Sequence, residues 1–259
     1  MEQLLPLIYI PQYVLVFARI AAFFVTVPLF SYRTIPTTFK IGLSIFLAMI
    51  LTQTIPLQIV SFDMFFILLI LKEIMVGVFI GLIAFIIVSA VQIAGGFIDF
   101  QMGFAIANVV DPQTGAQSPL IGQYFYIIAL LFLLAVNGHH MLIDGLHYSF
   151  QVISLDGFIP FSNESIGKFI IQTFNSMFVI AFQVAIPIVG CLFLVDVALG
   201  LVARTVPQLN VFVVGLPIKI FVSFVAILIF LATYIYLAEK LFKTMFDVMK
   251  GLIQLFGGA

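Results

Sequence analysis

The chain has 259 residues, of which 64% are hydrophobic and only 8% are charged, a composition that excludes an ordinary soluble domain. Ten Lys and Arg residues stand against eleven Asp and Glu residues, so the chain lacks the basic surplus of a nucleic-acid-binding protein. The single cysteine, Cys191, excludes an internal disulfide framework and a metal site built from cysteines. These limits predict one helical unit that is surrounded by lipid or by other apolar protein.

Long apolar segments predict about six membrane-spanning helices. They lie near residues 7–29, 41–58, 74–94, 120–137, 169–197 and 219–238. Gln53, Pro56 and Gln58 are expected to end the second of these helices early. Gly77 and Gly81 have the small-xxx-small spacing that lets two helices approach closely, although this spacing is common in membrane helices.

The last part of the chain, residues 239–256, has the pattern of an amphipathic helix. Its narrow polar stripe consists of Lys240, Lys243, Asp247, Lys250 and Gln254. The opposite side is apolar and broad. The pattern predicts a helix that either lies in the membrane interface or packs on partner helices.

Several charged residues interrupt the apolar segments. Arg19 stands in the middle of the first segment, where an arginine costs about 2.5–3.5 kcal/mol on insertion scales unless it faces protein or water. Lys72 and Glu73 are adjacent in sequence, and adjacent residues on a helix do not face each other. We therefore expect Arg19 at an interface, and Lys72 and Glu73 each in contact with another helix or another chain.

The distribution of basic residues gives a conflicting topology. The positive-inside rule places the loops 31–40 and 201–219 in the cytoplasm. Six crossings then place the three lysines of the tail on the opposite side, against the same rule. This conflict indicates that some of the apolar helices do not truly span the membrane.

A polar segment with glycine and proline separates two long apolar segments, between Gly95 and Gly122. Asp111-Pro112 and Thr114-Gly115 are turn signals, so the backbone there is not expected to be helical. Irregular backbone is tolerated at membrane depth only where it is buried in protein or faces water. Two interpretations remain open, a loop that folds into a lumen and plugs it, and a solvent-exposed connector.

His140, Asp144 and His147 fall on one face of a predicted helix, which is a spacing that would suit a metal such as zinc. The sequence has no His-Glu-x-x-His pattern, and its only other histidine is His139. The alternative is a helix start after a glycine turn, with the imidazoles at an interface. We favour the alternative and predict neither a metal site nor a catalytic site.

Three motifs carry a resemblance to a known family. They are Asp111-Pro-x-x-Gly115, Asn137-Gly-His-His140 and the long pattern Arg204-Thr-x-Pro-Gln-x-Asn-Val-Phe-x-x-Gly-x-Pro-Ile-Lys219. Together they resemble the flagellar biosynthesis protein FliR family, whose relatives in virulence type III secretion share the pattern. The resemblance covers essentially the whole chain, and the third motif is the most specific of the three.

The resemblance implies an all-α, membrane-associated fold of kinked helical hairpins, part of a helical hetero-oligomer. It also implies a single export-gate domain in which residues 1–200 are similar to FliP and residues 201–259 to FliQ. The expected partners are several FliP-like and FliQ-like subunits, an FlhB-like switch protein, unfolded export substrates and membrane lipid, with no nucleic acid. The expected place is the bacterial inner membrane at the flagellar basal body.

The same resemblance implies roles for three sets of residues. The channel plug loop would include Phe104, Asn108, Asp111, Pro112, Gln113, Thr114, Gly115 and Gln117. Charges that face other subunits would be Arg19, Lys72, Glu73, Asp99 and Asp196. A cytoplasmic hairpin tip, which two prolines and a glycine also predict, would carry Arg204, Pro207, Gln208, Asn210, Pro217 and Lys219.

The implied function is a non-catalytic subunit that forms and plugs the secretion channel for unfolded flagellar proteins, without a cofactor. The sequence contains no Gly-x-x-x-x-Gly-Lys-Ser/Thr pattern for a nucleotide. A virulence type III secretion subunit is one alternative. A small-solute transporter is another, although no internal repeat with matched broken helices is evident.

Overall fold

The computed structural model describes residues 5–32, 34–56, 63–104, 119–159, 164–208 and 210–258, and all regular elements within these ranges are helices. The helices are α1 (Leu5–Thr26), α2 (Thr37–Thr54), α3 (Met64–Met102), α4 (Leu120–Ala135), α5 (Gly138–Val152), α6 (Glu164–Thr205) and α7 (Val211–Phe256). The predicted all-α, membrane-associated fold class is confirmed, and the part of that prediction that concerns a helical hetero-oligomer stays a prediction.

The predicted apolar segments appear as long helices. Within the described ranges, α2, α3, α6 and α7 are long and apolar enough to cross a membrane, and the pair α4–α5 makes five if it forms one broken span. The first segment forms α1, which ends at Thr26, just before Pro28, whose ring disfavours helical backbone in the residue that precedes it. The prediction of about six long apolar segments is confirmed.

Local signals explain where several helices begin and end. α2 ends at Thr54, as Gln53 and Pro56 predicted. The break between α4 and α5 lies at Asn137, which has a left-handed backbone with φ of 58°. Asparagine tolerates this conformation better than most residues, and Gly138 follows it as the first residue of α5.

The chain divides into two compact units. The first unit comprises Met1–Ile87, Val136–Phe174 and Lys243–Ala259, and the second comprises Val88–Ala135 and Asn175–Phe242. Helices α3, α6 and α7 each contribute residues to both units. The predicted division into a FliP-like and a FliQ-like portion at residue 200 stays a prediction.

In the first unit, α1 lies close against α3. A β-carbon added at Gly77 would meet the backbone of Arg19 and Phe23, and one at Gly81 would meet Thr26 and Val27. The close approach predicted from the spacing of these two glycines is therefore confirmed. It brings the middle of α1 within reach of Glu73, one helical turn before Gly77.

The end of α7 also packs into the first unit. Its apolar side is buried, with Met245 and Leu252 fully enclosed, while Lys243 and Lys250 are exposed. Gly145 of α5 leaves room for the side chain of Met249. The predicted amphipathic pattern is confirmed, and its apolar side is covered by this chain itself.

In the second unit, α3 and α4 approach most closely where Gly95 faces the backbone of Gly122. Tyr234 of α7 stacks on Phe125 of α4 with ring centroids 4.6 Å apart. The Tyr234 hydroxyl donates a hydrogen bond of 2.5 Å to the Phe125 carbonyl, which satisfies the phenol in an apolar surrounding. Glycine contact and aromatic stacking thus define this core.

Candidate functional site

Arg19, Lys72 and Glu73 form a buried ionic cluster in the first unit, here called the Arg19 network. The Arg19 guanidinium donates from Nε to Glu73 Oε2 and from Nη2 to Glu73 Oε1, the latter over 3.0 Å. Lys72 Nζ lies 2.5 Å from Glu73 Oε1. The side chains of Arg19 and Glu73 are 0% exposed and that of Lys72 is 3% exposed. The bidentate geometry is the strongest form of such a pair.

The same two cations hold the end of α5 and the residues after it. Arg19 Nη1 donates to the Ser149 carbonyl over 2.9 Å and to its hydroxyl over 3.1 Å, and Nη2 donates to the Ile153 carbonyl over 3.3 Å. Lys72 Nζ donates to the carbonyls of Ser154, over 2.7 Å, and Leu155, over 3.2 Å. Ser149 lies in the last turn of α5 and Ile153 is the residue that ends it, so Arg19 holds the end of this helix and Lys72 holds the two residues that follow.

The charge balance of the Arg19 network depends on this helix end. Two cations contact one carboxylate, and Asp156 supplies a further negative charge near Lys72. The C-terminus of a helix carries a partial negative charge of roughly half an electron, and the Ser149 carbonyl in the last turn of α5 accepts from Arg19. The Phe150 ring lies 4.2 Å from Arg19 Cζ and adds a cation–π contact. A charged cluster is thereby made tolerable in an apolar core.

These three residues are buried and mutually paired within one unit of this chain. Their predicted role as charges that face other subunits stays a prediction. Lys72 and Glu73 also pair directly, although they are adjacent on α3, because the long lysine stem reaches around the helix. Their contacts with α1 and with the segment after α5 confirm that each meets another part of the structure.

Asp99 plays a similar part in the second unit. Its Oδ2 accepts a hydrogen bond of 3.0 Å from the backbone N–H of Ile121, in the first turn of α4. A carboxylate is favoured at a helix N-terminus because the first N–H groups lack acceptors within the helix. Asp99 is buried and caps α4 inside the unit, and its predicted place at a subunit interface stays a prediction.

Asp196 and Lys219 form an ion pair between α6 and α7 in the second unit. Gln101 of α3 joins them, because its Nε2 donates to Asp196 Oδ2 over 2.8 Å and its carbonyl accepts from Lys219 Nζ over 3.5 Å. We call Gln101, Asp196 and Lys219 the Lys219 network. Asp196 has these partners within the chain and remains 37% exposed, and its predicted role in facing another subunit stays a prediction.

The predicted hairpin tip is shorter in the structure. Arg204 lies in the last turn of α6, and Pro207 and Gln208 form a turn. Asn210 precedes α7, and its side-chain oxygen accepts from the N–H of Phe212 over 3.1 Å. Pro217 and Lys219 lie within α7, so their placement in the tip was wrong. The Asn210 cap starts the helix before Pro217 is reached.

Most of the predicted plug lies outside the described residues. These positions are Asn108, Asp111, Pro112, Gln113, Thr114, Gly115 and Gln117. Phe104 is described and ends α3 together with Gly103, whose φ is 90°. The N–H of Phe104 donates to the Asp99 carbonyl over 3.0 Å and that of Gly103 to Phe100 over 3.2 Å. This pair of bonds is a Schellman motif, which needs glycine at the left-handed position.

The histidine-bearing face is on α5, as predicted. His147 Nε2 lies 3.3 Å from Gln151 Nε2, and the rings of His139 and His140 are 4.1 Å apart. Among the residues that the structure describes, no three His, Cys, Asp or Glu side chains are arranged to hold a metal ion. The contacts of these histidines are with neighbouring side chains of their own helix.

Two participants were not recognised in the sequence. Ser149 accepts hydrogen bonds from Arg19 with both its carbonyl and its hydroxyl. Gln101 of α3 makes hydrogen bonds with both Asp196 and Lys219. Gln101 offered one weak signal, since it is a polar residue two positions after Asp99 in an apolar helix. Ser149 offered none, because serine is common in helices of this kind.

Comparison with known proteins identifies the family. A model of the family described as bacterial export proteins, family 1, matches residues 10–245. The chain belongs to this family. The flagellar biosynthetic protein FliR of Bacillus subtilis (strain 168) is 54% identical over 249 residues, which cover 95% of this chain and 96% of that protein.

More distant relatives of this chain include flagellar biosynthetic proteins and Yop proteins translocation proteins. The flagellar biosynthetic protein FliR of Escherichia coli (strain K12) is 29% identical over 91% of this chain and 90% of its own length. The Yop proteins translocation protein T of Yersinia pestis is 27% identical over 93% of this chain and 94% of its own length. The resemblance to the FliR family and its type III secretion relatives is confirmed.

Proposed function

We propose that this chain is a core subunit of the flagellar type III export gate, where it helps to form and plug the channel for unfolded flagellar proteins. The observation that carries this proposal is the 54% identity, over 95% of the chain, to a flagellar FliR protein. The virulence relative is 27% identical over a similar share, which favours the flagellar system over the virulence one.

The distribution of apolar side chains supports an assembly with partners. Large apolar residues are exposed along the helices, for example Met64 at 83% on α3 and Phe212 at 80% on α7. Similar residues line α2 and α6. FliP-like and FliQ-like subunits in several copies, an FlhB-like protein and lipid are the proposed cover for these surfaces, in the bacterial inner membrane at the flagellar basal body.

The charged groups support a role in architecture without catalysis. The guanidinium of Arg19 makes five hydrogen bonds, all to groups of this chain. Lys72, Asp99 and Lys219 each hold a helix end or a carboxylate. We propose that energy for export comes from a partner ATPase or from the proton motive force.

The proposed plug is the segment that follows α3 and precedes α4, from Phe104 to Gln117. Its support is the motif Asp111-Pro-x-x-Gly115 and the position between two apolar helices. Both helix ends that border it are capped in the structure, at α3 by a Schellman motif and at α4 by Asp99. A plug held between two fixed ends loses less conformational entropy on closing than one held at a single end.

Gene deletion with complementation tests the proposal. Loss of the chain is expected to abolish the secretion of flagellar hook and filament proteins while leaving general secretion intact. The chain supplied in trans should restore swimming and should co-purify with FliP-like and FliQ-like subunits. A deletion strain that still swims, or a chain that purifies as a stable homo-oligomer and carries small solutes, would overturn the proposal.

A further inference from the structure

The last turn of α3 is held by groups from two other helices of the second unit. Lys219 Nζ lies 3.5 Å from the Gln101 carbonyl, one of the carbonyls that the end of a helix leaves without a helical partner. A lysine at this place also meets the partial negative charge of the helix C-terminus. α7 thus supplies the cation that α3 lacks in its own last turn.

Asp196 of α6 completes the attachment. One carboxylate oxygen pairs with Lys219, and the other accepts a hydrogen bond of 2.8 Å from the Gln101 side chain. Asp196 therefore orients the lysine and holds α3 directly. The three residues come from three helices. The contacts of the network join side chains, except that Lys219 donates to the backbone carbonyl of Gln101 at the end of α3.

Apolar packing acts beside this attachment, since Met102 is fully buried and Gly103 lies close against the side chain of Leu216 on α7. An open cleft of about 310 Å³ borders the network and is lined by Met102, Gly103, Leu199 and Leu216 together with Asp196 and Lys219. The polar contacts of the Lys219 network add directed bonds at the Gln101 carbonyl and side chain, which apolar packing does not supply.

We infer that Asp196 and Lys219 are positioning residues that fix the last turn of α3, and with it the point and direction in which the chain leaves this helix. The inference about the helix end stands on the Lys219 network alone. Its consequence for the channel rests on the proposed function, because the segment that leaves α3 after Phe104 is the proposed plug. Loosening the helix end is then expected to let ions leak through the assembled gate.

Hydrogen exchange in the purified, complete export complex tests the inference. The amides of Gly103 and Phe104 close the Schellman motif and report directly on the end of α3. The ion pair is partly exposed, with side-chain exposures of 21% for Lys219 and 37% for Asp196, so a modest effect is expected. We expect these amides to exchange about two- to fivefold faster in Asp196→Asn and in Lys219→Met.

Matched variants separate positioning from general damage. Lys219→Arg keeps the cation and should restore slow exchange at Gly103 and Phe104. Glu164→Gln makes the same carboxyl-to-amide change in a pair with Lys168 whose side chains are 84% and 72% exposed, and it should change nothing. Amides in the middle of α4 should exchange at the wild-type rate in all four variants.

Two results would overturn the inference that Asp196 and Lys219 position the end of α3. One is unchanged exchange at Gly103 and Phe104 in both Asp196→Asn and Lys219→Met. The other is loss of the whole complex, which would show that the two residues are needed for folding of the unit. Ion conductance of the same complexes in planar bilayers is measured in parallel. Faster amide exchange together with wild-type ion conductance would support the positioning role of Asp196 and Lys219. The same result would overturn the proposed plug.

Discussion

Arg19 and Glu73 are joined by two hydrogen bonds across 54 residues of sequence, and both side chains are completely buried in the first unit. Glu73 is the only carboxylate that the Arg19 network contains, whereas two cations face it. The network therefore responds differently to the loss of its anion and to the loss of one cation.

Glu73→Gln is expected to destabilise the protein by about 3–5 kcal/mol, because it leaves two buried cations without a counter-charge. Lys72→Met should cost less, since the Arg19–Glu73 pair stays neutral, although the Lys72 contact with Glu73 and its two carbonyl contacts are lost. Thermal unfolding of the purified complex in detergent measures both. Equal losses for the two variants would contradict the charge balance described for this network.

Gly77→Ala should destabilise the first unit by about 1–3 kcal/mol, because the added methyl group would meet the backbone of α1 and force the helices apart. Gly42→Ala is the matched control, since nothing lies near that position on α2. Alanine there should leave stability unchanged or raise it by up to about 1 kcal/mol. Limited proteolysis and thermal unfolding report the difference, and a Gly77→Ala protein as stable as the Gly42→Ala protein would argue against close α1–α3 packing.

Asn210→Ala should weaken the start of α7 by about 1 kcal/mol, because the N–H groups of Phe212 and Val213 lose their side-chain acceptor. Asn210→Asp should preserve the cap and add a favourable charge at the helix N-terminus. Exchange rates of the Phe212 and Val213 amides distinguish the variants. If alanine and aspartate give the same rates, the Asn210 side chain does not cap this helix.

Deletion of residues 110–118 is expected to leave the complex assembled but leaky to ions, because the segment is the proposed plug. Co-purification with the partner subunits shows assembly, and current through single complexes in a planar bilayer shows the leak. Replacement of the same residues by a glycine–serine segment of equal length controls for the shortened connection. A deleted complex that stays closed would remove the plug from the proposed function.

Local patterns in the sequence predicted a large part of the fold. Proline and glutamine marked the end of α2, glycine spacing marked the contact of α3 with α1, and the polar stripe marked the end of α7. Each of these depends on neighbours within one or two helical turns, so the sequence contains the whole signal. The resemblance in three short motifs added the family, which hydropathy alone does not determine.

Contacts between distant residues could not be predicted in the same way. Arg19 meets Ser149 across 130 residues, and Lys219 meets Gln101 across 118, and neither pair has a sequence spacing that reveals it. The sequence showed that Arg19 needs a partner at an interface, and it placed Lys219 in the hairpin tip, but it did not identify the partner of either. The helix break predicted at Pro217 is absent, because the cap at Asn210 and the apolar run that follows it favour a helix that includes this proline.

Helix α7 contains 46 residues, which corresponds to a length of about 69 Å at 1.5 Å per residue. The hydrocarbon layer of a bilayer is about 30 Å thick, so lipid tails would match less than half of that length. The apolar part of a detergent micelle has a similar thickness. It would not cover all the exposed apolar side chains along α7, which include Phe212 and Leu228. Overproduction of this chain by itself should consequently give aggregates, whereas co-expression with its neighbours should give a monodisperse particle.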